Sequence, residues 1–246
     1  MVLSKKSIQD LNLQDLKGKR VLVRVDFNVP LDNGKITDDT RIKEGLPSIE
    51  YLIKNQARVI LVTHLGRPKG EKKEDLKLTP IAKKLSELIN KPIIKADDCI
   101  GPEVSKQVNS LKNGEILLLE NIRFYKQETE NNEDFAKELA SFADLFVNDA
   151  FGAAHRSHAS VSGVAKYIPA YAGFLMQKEI NFLDNAIKKP VKPFVAIIGG
   201  AKISTKFTVL KSLLNQVDYL IIGGAMIFTL LKAQGYEIGK SLYEEE

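Results

Sequence analysis

V-I-L-V-T-H-L-G-R, residues 59–67, decides the fold. Its first half is an unbroken apolar, β-branched run, the pattern of a strand buried on both faces. Its second half turns polar at once and ends on an arginine. Burial on both faces calls for helices above and below, and so for a parallel sheet. The pattern recurs outward in both directions. Residues 21–27, V-L-V-R-V-D-F, form a similar run that stops at the N-V-P of residues 28–30. Residues 93–95, 116–119 and 145–147 read as further short strands. Helical patterns stand between them. Residues 40–55 repeat apolar Ile42, Leu46, Ile49, Leu52 and Ile53 at helical spacing, with Pro47 as an expected kink. Residues 79–90 open with Thr79 as the expected N-cap and Pro80 at the first helical position. Residues 102–111 and 134–142 read as two more helices. This alternation predicts an α/β fold: a parallel sheet covered by helices on both faces, Rossmann-like in architecture.

A boundary follows. Residues 174–188 are helical in pattern, with apolar Leu175, Ile180, Leu183 and Ile187, and are closed by Pro190 and Pro193. The alternation then restarts with a strand at 194–198, a helix at 204–214, a strand at 219–222 and a helix at 225–234. The sequence therefore predicts a two-domain organisation: a domain over residues 1–170, a connecting helix and linker over 171–192, and the start of a second domain over 193–246. Two parallel strands do not normally bury both faces of a sheet. The second domain is expected to be incomplete, loosely ordered beyond about Pro193, and the chain to be a fragment.

Composition narrows the partners. The 246 residues are 44% hydrophobic and carry a net charge of +5, which favours anions without choosing among them. Nucleic acid is disfavoured: the lysines are scattered, there is no Trp, and the aromatics are not interleaved with basic residues as a stacking platform needs. The single cysteine, Cys99, excludes an intrachain disulfide framework and reads as a small structural thiol in a reducing compartment. Residues 1–13 lack the apolar core of an export signal, and no apolar run approaches the roughly 18 residues of a membrane span. A cytoplasmic protein with no membrane or nucleic-acid partner is expected.

The arginines point to a site. Only seven of the 36 Lys and Arg residues are arginine, and four of those sit in short polar motifs. They are Arg41 in T-D-D-T-R, Arg67 in H-L-G-R-P, Arg123 in E-N-I-R-F and Arg156 in A-H-R-S-H. Arginine is needed where a planar fork must grip a carboxylate or phosphate with paired hydrogen bonds. In open α/β sheets, ligands bind beyond the carboxyl ends of the strands. There the successive strands deliver Asp26, Phe27 and Asn28; His64, Leu65, Gly66 and Arg67; Glu120, Asn121 and Arg123; then Asn148, Asp149 and the loop to Arg156. A lone arginine would read as a surface ion pair. Four at one sheet edge, with His64, read as a pocket for a phosphate and a carboxylate, where Asp26 and Asn28 take hydroxyls.

The second domain opens with I-I-G-G-A-K-I-S-T-K, residues 197–206. Gly199, Gly200 and Ala201 form a strand-to-helix turn that lets the backbone approach a phosphate, with Lys202 and Lys206 on one helix face or its approach. This is neither a Walker loop nor a dinucleotide fingerprint. Gly223 and Gly224 repeat the turn in I-I-G-G-A-M. Each copy alone is as readily a tight turn as a nucleotide site.

Taken in order, D-F-N, T-D-D-T-R-I, H-L-G-R-P, E-N-I-R-F, F-V-N-D-A-F-G-A-A-H-R-S-H-A-S and G-G-A-K-I-S-T-K resemble the phosphoglycerate kinase family along essentially the whole chain. The resemblance implies a monomeric, hinge-closing, two-domain kinase. Its N-terminal domain would bind 3-phosphoglycerate or 1,3-bisphosphoglycerate, and its C-terminal domain ATP or ADP with Mg2+ carried by the nucleotide. It places Asp26, Phe27, Asn28, Arg41, His64, Leu65, Gly66, Arg67, Arg123 and Arg156 on the phosphoglycerate. It places Gly199, Gly200, Ala201, Lys202, Lys206, Gly223 and Gly224 on the nucleotide, with Arg41, Lys202 and Lys206 catalytic. Two positions depart from the family pattern: Ala225 stands where many members have a third glycine, and Thr205 where they have an acid. The family's later glutamate and its glycine-rich motif with the magnesium-binding aspartate have no counterpart here, so no metal ligand is assigned and this chain alone is expected to bind without turnover. The competing reading is a non-catalytic α/β module that holds a phosphorylated metabolite.

Overall fold

A computed structural model of the chain describes residues 6–245. It contains two compact units, Met1–Glu179 and Ile180–Glu246. In the first, α1 (Leu13–Leu16) leads into β1 (Arg20–Arg24), and a hairpin of β2 (Leu31–Asp32) and β3 (Lys35–Ile36) precedes α2 (Thr40–Lys54). Then come β4 (Arg58–Val62), α3 (Thr79–Ile89), β5 (Ile94–Lys95), α4 (Pro102–Ser110) and β6 (Ile116–Leu118). After them follow α5 (Lys126–Thr129), α6 (Glu133–Ser141), β7 (Leu145–Asn148), β8 (Ala170–Ala172) and the start of α7 (Phe174–Lys188). Six strands form one sheet in the order β5-β6-β4-β1-β7-β8, and every pairing in it is parallel.

The period-2 alternation of the strands divides the core in two. Val21, Val23, Val59, Leu61, Ile116 and Leu118 pack on one face with Ile42, Ile49 and Leu52 of α2 and Ile81 and Leu85 of α3. Leu22, Ile60, Val62 and Leu117 pack on the other with Val104 and Val108 of α4 and Phe135 and Leu139 of α6. Both faces of the central strands are closed, as the unbroken apolar runs require.

One local expectation changes, and one element goes beyond those expected. The N-cap of α3 is Leu78, and Thr79 is its first residue with no side-chain cap bond. The Leu78 N–H is taken by Glu120 Oε1 at 2.9 Å, and Pro80 has no N–H to satisfy, so a hydroxyl cap has little to do. α2 runs from Thr40 to Lys54 as one helix with Pro47 inside it. The β2–β3 hairpin was not expected, although its turn residues Asn33 and Gly34 both have positive φ, 47° and 75°, the tight turn that Asn-Gly favours.

The second unit holds the rest of α7, a parallel pair of β9 (Val195–Gly199) and β10 (Tyr219–Gly223), then α8 (Phe207–Leu214) and α9 (Met226–Ala233). The helix expected over 204–214 is instead a 3-10 turn, Ser204–Lys206, followed by α8. The stretch expected to be loosely ordered beyond Pro193 holds this regular strand pair. Ala196, Ile198, Leu220 and Ile222 are half-buried, while Val195, Ile197, Tyr219 and Ile221 are exposed. Leu210 and Met226 are its buried hydrophobic residues among the described ones. No helix among the described residues is long and apolar enough to cross a membrane.

Candidate functional site

The first unit gathers its motifs where the sheet's connections diverge. The chain passes from β1 to β4 on one side and places β7 on the other, which opens a crevice beyond the carboxyl ends of these strands. Asp26 Oδ2 accepts from Arg41 Nη1 at 2.7 Å, and Arg41 stays half-exposed. Gly152, in the loop after β7, packs so closely that an added Cβ would lie 2.8 Å from Asp26 Oδ2. Asn28 Oδ1 accepts from the Gly66 N–H at 2.8 Å, and the Gly66 carbonyl accepts from Arg123 Nη1 at 3.0 Å. Gly66 has a φ of 63°, and a Cβ there would lie 2.8 Å from the Leu76 side chain, so glycine alone fits this junction.

Asn121 stitches the loops together. Its Oδ1 accepts from the N–H groups of Leu65 and Arg123, each at 3.2 Å. Its Nδ2 donates to the carbonyls of Leu65 at 2.8 Å and Leu76 at 3.0 Å. Glu120 braces the same loop through Lys95 Nζ at 2.6 Å. Phe27 and Leu65 have buried side chains in the core, so their contribution to a ligand would come from the backbone. Cys99 is buried and donates to the Glu120 carbonyl, and burial pushes its thiol up, away from reactivity.

Arg67, Arg123 and Arg156 are brought together, with Lys69, Tyr125 and His158, around a cavity of about 460 Å³. Arg123 is 7% exposed, and its Nε is buried without a hydrogen-bond partner. Burial, and then the neighbouring Arg156 and Arg24 charges, push its guanidinium down to about 10. Asp26, Asn28, Arg41 and His64 do not line this cavity. His64 nevertheless belongs to the same field: burial, then the charges of Arg24, Arg123, Arg156 and Arg41, push its imidazole down to about 2 and keep it neutral. A larger cavity of about 670 Å³ includes Asp38, Asp39, Lys83 and Lys84. Its Asp39 is already paired with Lys43 at 2.8 Å and Lys84 at 3.0 Å, so it offers less unsatisfied charge.

Sequence reasoning missed a polar network behind the arginines. Arg24, in the middle strand, is 0% exposed. Its Nε donates to Ser160 Oγ at 2.9 Å, its Nη1 donates to the Val25 carbonyl, and its Nη2 meets His64 Nδ1 at 3.2 Å. Ser160 donates through Oγ and N to the two oxygens of Glu128, at 2.7 and 2.8 Å. His158 Nδ1 lies 3.5 Å from Glu128 Oε1. Burial pushes the Glu128 carboxyl up, but the His158 ring, the Arg24 charge and the Ser160 donors outweigh it and hold it below its ordinary value. The available signal was a charged residue inside an apolar strand run, which demands a buried partner.

Asp149, also delivered by β7, serves the fold. Its Oδ1 accepts from the N–H groups of Leu175 and Met176, at 2.9 and 3.2 Å, at the start of α7. Burial pushes its carboxyl up, and Oδ2 has no partner.

In the second unit the two glycine turns lie side by side, with Gly199 paired to Gly223. Gly224 has a φ of 75°, and a Cβ there would lie 2.6 Å from the Gly200 carbonyl oxygen. Packing alone therefore requires glycine at this position. Ala201, Lys202 and Lys206 are exposed; the first two precede the 3-10 turn and Lys206 ends it, and Thr205 Oγ1 donates to the Lys202 carbonyl at 3.0 Å. Ser204 donates through N and Oγ to the Glu244 carboxylate, at 2.9 and 2.7 Å. The described residues include no group of three or more His, Cys, Asp or Glu that could hold a metal ion.

Comparison with known proteins agrees across the chain. A family model described as phosphoglycerate kinase matches residues 8–246. The chain is 61% identical over 244 residues to a phosphoglycerate kinase of Dictyoglomus turgidum, covering 99% of this chain and 61% of the relative. It is 56% identical over 245 residues to a chloroplastic phosphoglycerate kinase of Chlamydomonas reinhardtii, covering 98% of this chain and 53% of the relative. The solved structure of phosphoglycerate kinase from Coxiella burnetii superposes with a TM-score of 0.82 at 45% identity, covering 98% of this chain and 60% of that one. The chain thus spans a little over half to six-tenths of the length of these relatives.

Proposed function

The chain belongs to the phosphoglycerate kinase family, and from that premise we propose that it serves reversible phosphoryl transfer between 1,3-bisphosphoglycerate with ADP and 3-phosphoglycerate with ATP, a step of glycolysis. The first unit binds the phosphoglycerate and the second belongs to the nucleotide half. The observation that carries this reading is the set of cations, Arg67, Lys69, Arg123 and Arg156, lining one cavity at the strand ends. The buried, unpaired Nε of Arg123 sharpens it. A buried donor on a cation is costly until an acceptor arrives, and a phosphate supplies acceptors in the geometry a guanidinium grips.

Asp26, Asn28 and His64 then meet the hydroxyl and carboxylate end. Such a transfer needs positioning and charge compensation more than covalent help. The acceptor is already an ionised carboxylate, so no general base is called for. Arg41, half-exposed and held by one ion pair, is the first unit's cation for the moving phosphoryl group, and the exposed Lys202 and Lys206 are the second unit's cations for the nucleotide phosphates. Magnesium would be carried in by the nucleotide phosphates, as the family resemblance implies. The lone buried thiol supports a reducing compartment such as the cytoplasm, and the family resemblance supports a monomer.

Calorimetric titration with 3-phosphoglycerate tests the pocket. Arg123→Ala is expected to weaken binding roughly ten- to a hundredfold, the loss of a hydrogen bond to a charged group. Arg58→Ala, whose Nε is committed to the Gly18 carbonyl at 2.9 Å, is expected to change little. Equal losses at both positions would show that bulk charge, and no pocket, holds the ligand.

A further inference from the structure

We propose that Glu128 is a positioning residue for the phosphoglycerate site. Acting through Ser160 and Arg24, it fixes His64 as a neutral imidazole that carries its proton on Nε2 and offers that N–H to an oxygen of the ligand. The identity of the ligand rests on the function proposed above; the state of His64 does not.

The direction of every hydrogen bond in the network is forced. A guanidinium only donates. The 3.2 Å approach of Arg24 Nη2 therefore requires a lone pair on His64 Nδ1, and a neutral imidazole with a bare Nδ1 has its proton on Nε2. Ser160 Oγ receives the Arg24 Nε–H, so its own proton goes to Glu128 Oε1, 2.7 Å away. The relay runs one way, from Arg24 through Ser160 to Glu128, and ends on a carboxylate whose side chain is 0% exposed. Glu128 is the counter-charge that makes a buried guanidinium in the middle of the sheet tenable.

The charges around His64 reinforce that state. Arg24 faces it from β1, Arg41 from α2, Arg123 from the loop after β6 and Arg156 from the loop after β7. The carboxylates of the neighbourhood are committed elsewhere: Asp26 to Arg41 and Glu128 to Ser160. Each of these four charges disfavours an imidazolium. His64 Nε2 makes no hydrogen bond among the described residues, so its proton is free for a ligand. A neutral donor among arginines gives direction without adding charge. Without the Arg24 donor on Nδ1, the ring could move its proton there and turn a lone pair on Nε2 toward an anion, which reverses the interaction.

The test reads the ring nitrogens of His64 by NMR in the chain labelled with 15N-histidine. The three histidines are assigned with His155→Gln and His158→Gln. Without ligand, His64 is expected as the Nε2–H tautomer, with no titration between pH 5 and 8. In Glu128→Gln it is expected to populate both tautomers or to titrate in that range, and 3-phosphoglycerate affinity to fall about tenfold. Should Glu128→Gln fail to fold, Ser160→Ala keeps both charges, cuts the relay and is judged by the same signals. A wild-type His64 protonated on Nδ1, or titrating above pH 5, overturns the proposal. So does a folded variant in which affinity falls while the tautomer stays fixed, because Glu128 would then act on structure alone. If the wild-type chain binds no 3-phosphoglycerate, the substrate reading falls, and the ligand-free spectra still decide the state of His64.

Discussion

Ile60 and Ile197 are the same residue type in strands of parallel pairings, yet Ile60 is 0% exposed and Ile197 is 73% exposed. The first lies in a six-stranded sheet covered on both faces, the second in a two-stranded one. Strand character is written in the β-branched run and is the same in both units. Burial depends on how many strands and covering helices surround the run. The site follows suit. In the first unit the polar groups at the strand ends are held by bonds that reach back into a closed sheet, through Asn121, Glu120 and Arg24. In the second, Lys202 and Lys206 are exposed side chains beside glycine turns. A pre-organised site needs a finished sheet behind it.

The widest gap between the units should appear in stability. Leu61→Ala, in the core of β4, is expected to cost about 2–5 kcal/mol. Ile197→Ala, on the exposed face of β9, should stay within about 0.5 kcal/mol. Urea unfolding of both variants checks this, and similar losses would mean that the second sheet is covered in solution.

Acid should separate the units next. His64 sits at about 2 when folded, against an ordinary 6.5. Between those values the unfolded chain takes up a proton that the folded first unit refuses, so stability falls as pH falls below about 6.5. From pH 7 to 5 the expected loss is of order 2 kcal/mol. All three histidines lie before Ile180, so hydrogen exchange should show β1 loosening and β9 unmoved by histidine titration. His64→Gln should flatten the slope. A slope unchanged by that substitution would transfer the effect to other groups.

The smallest effect sharpens the comparison from the other side. Gly224→Ala places a side chain at positive φ, 2.6 Å from a carbonyl oxygen, and is expected to cost at least about 1 kcal/mol. Faster exchange should be confined to β9, β10 and α9. Loosening that spread into the first unit would show that the two fold as one.

Five of the six strands are legible in the sequence because closed faces leave apolar runs: 59–63 and 116–119 are nearly unbroken, and 21–27 is interrupted only by Arg24 and Asp26. β8 was not, since Ala170–Ala172 is three residues with little apolar mass. The hairpin was missed although Asn33-Gly34 announced it, because two-residue strands show no periodicity. At the site, Arg67, Arg123 and Arg156 could be read together from their places after successive strands. Arg24 could not, because its neighbours made it look like part of a strand. Its partners, Glu128 and Ser160, lie 104 and 136 positions away along the chain, a separation that only the folded arrangement brings together. Phe27 and Leu65 are site residues by their motifs, and their buried side chains follow from the same motifs being strand ends.

Asn121 bears on how chemical ageing could reach the site. Side-chain amides hydrolyse spontaneously over time, and the product replaces NH2 with an oxygen. On an exposed asparagine that adds a charge and little else. Here the new oxygen would face the Leu65 and Leu76 carbonyls, acceptor against acceptor, and the loops carrying His64 and Arg123 would come apart together. The usual route to that hydrolysis is attack by the next backbone nitrogen. That nitrogen, on Ile122, is occupied by a hydrogen bond to the Thr63 carbonyl at 3.1 Å. The fold that cannot tolerate the lesion also restrains the atom that would cause it, so decay of the site should wait on local opening of these loops.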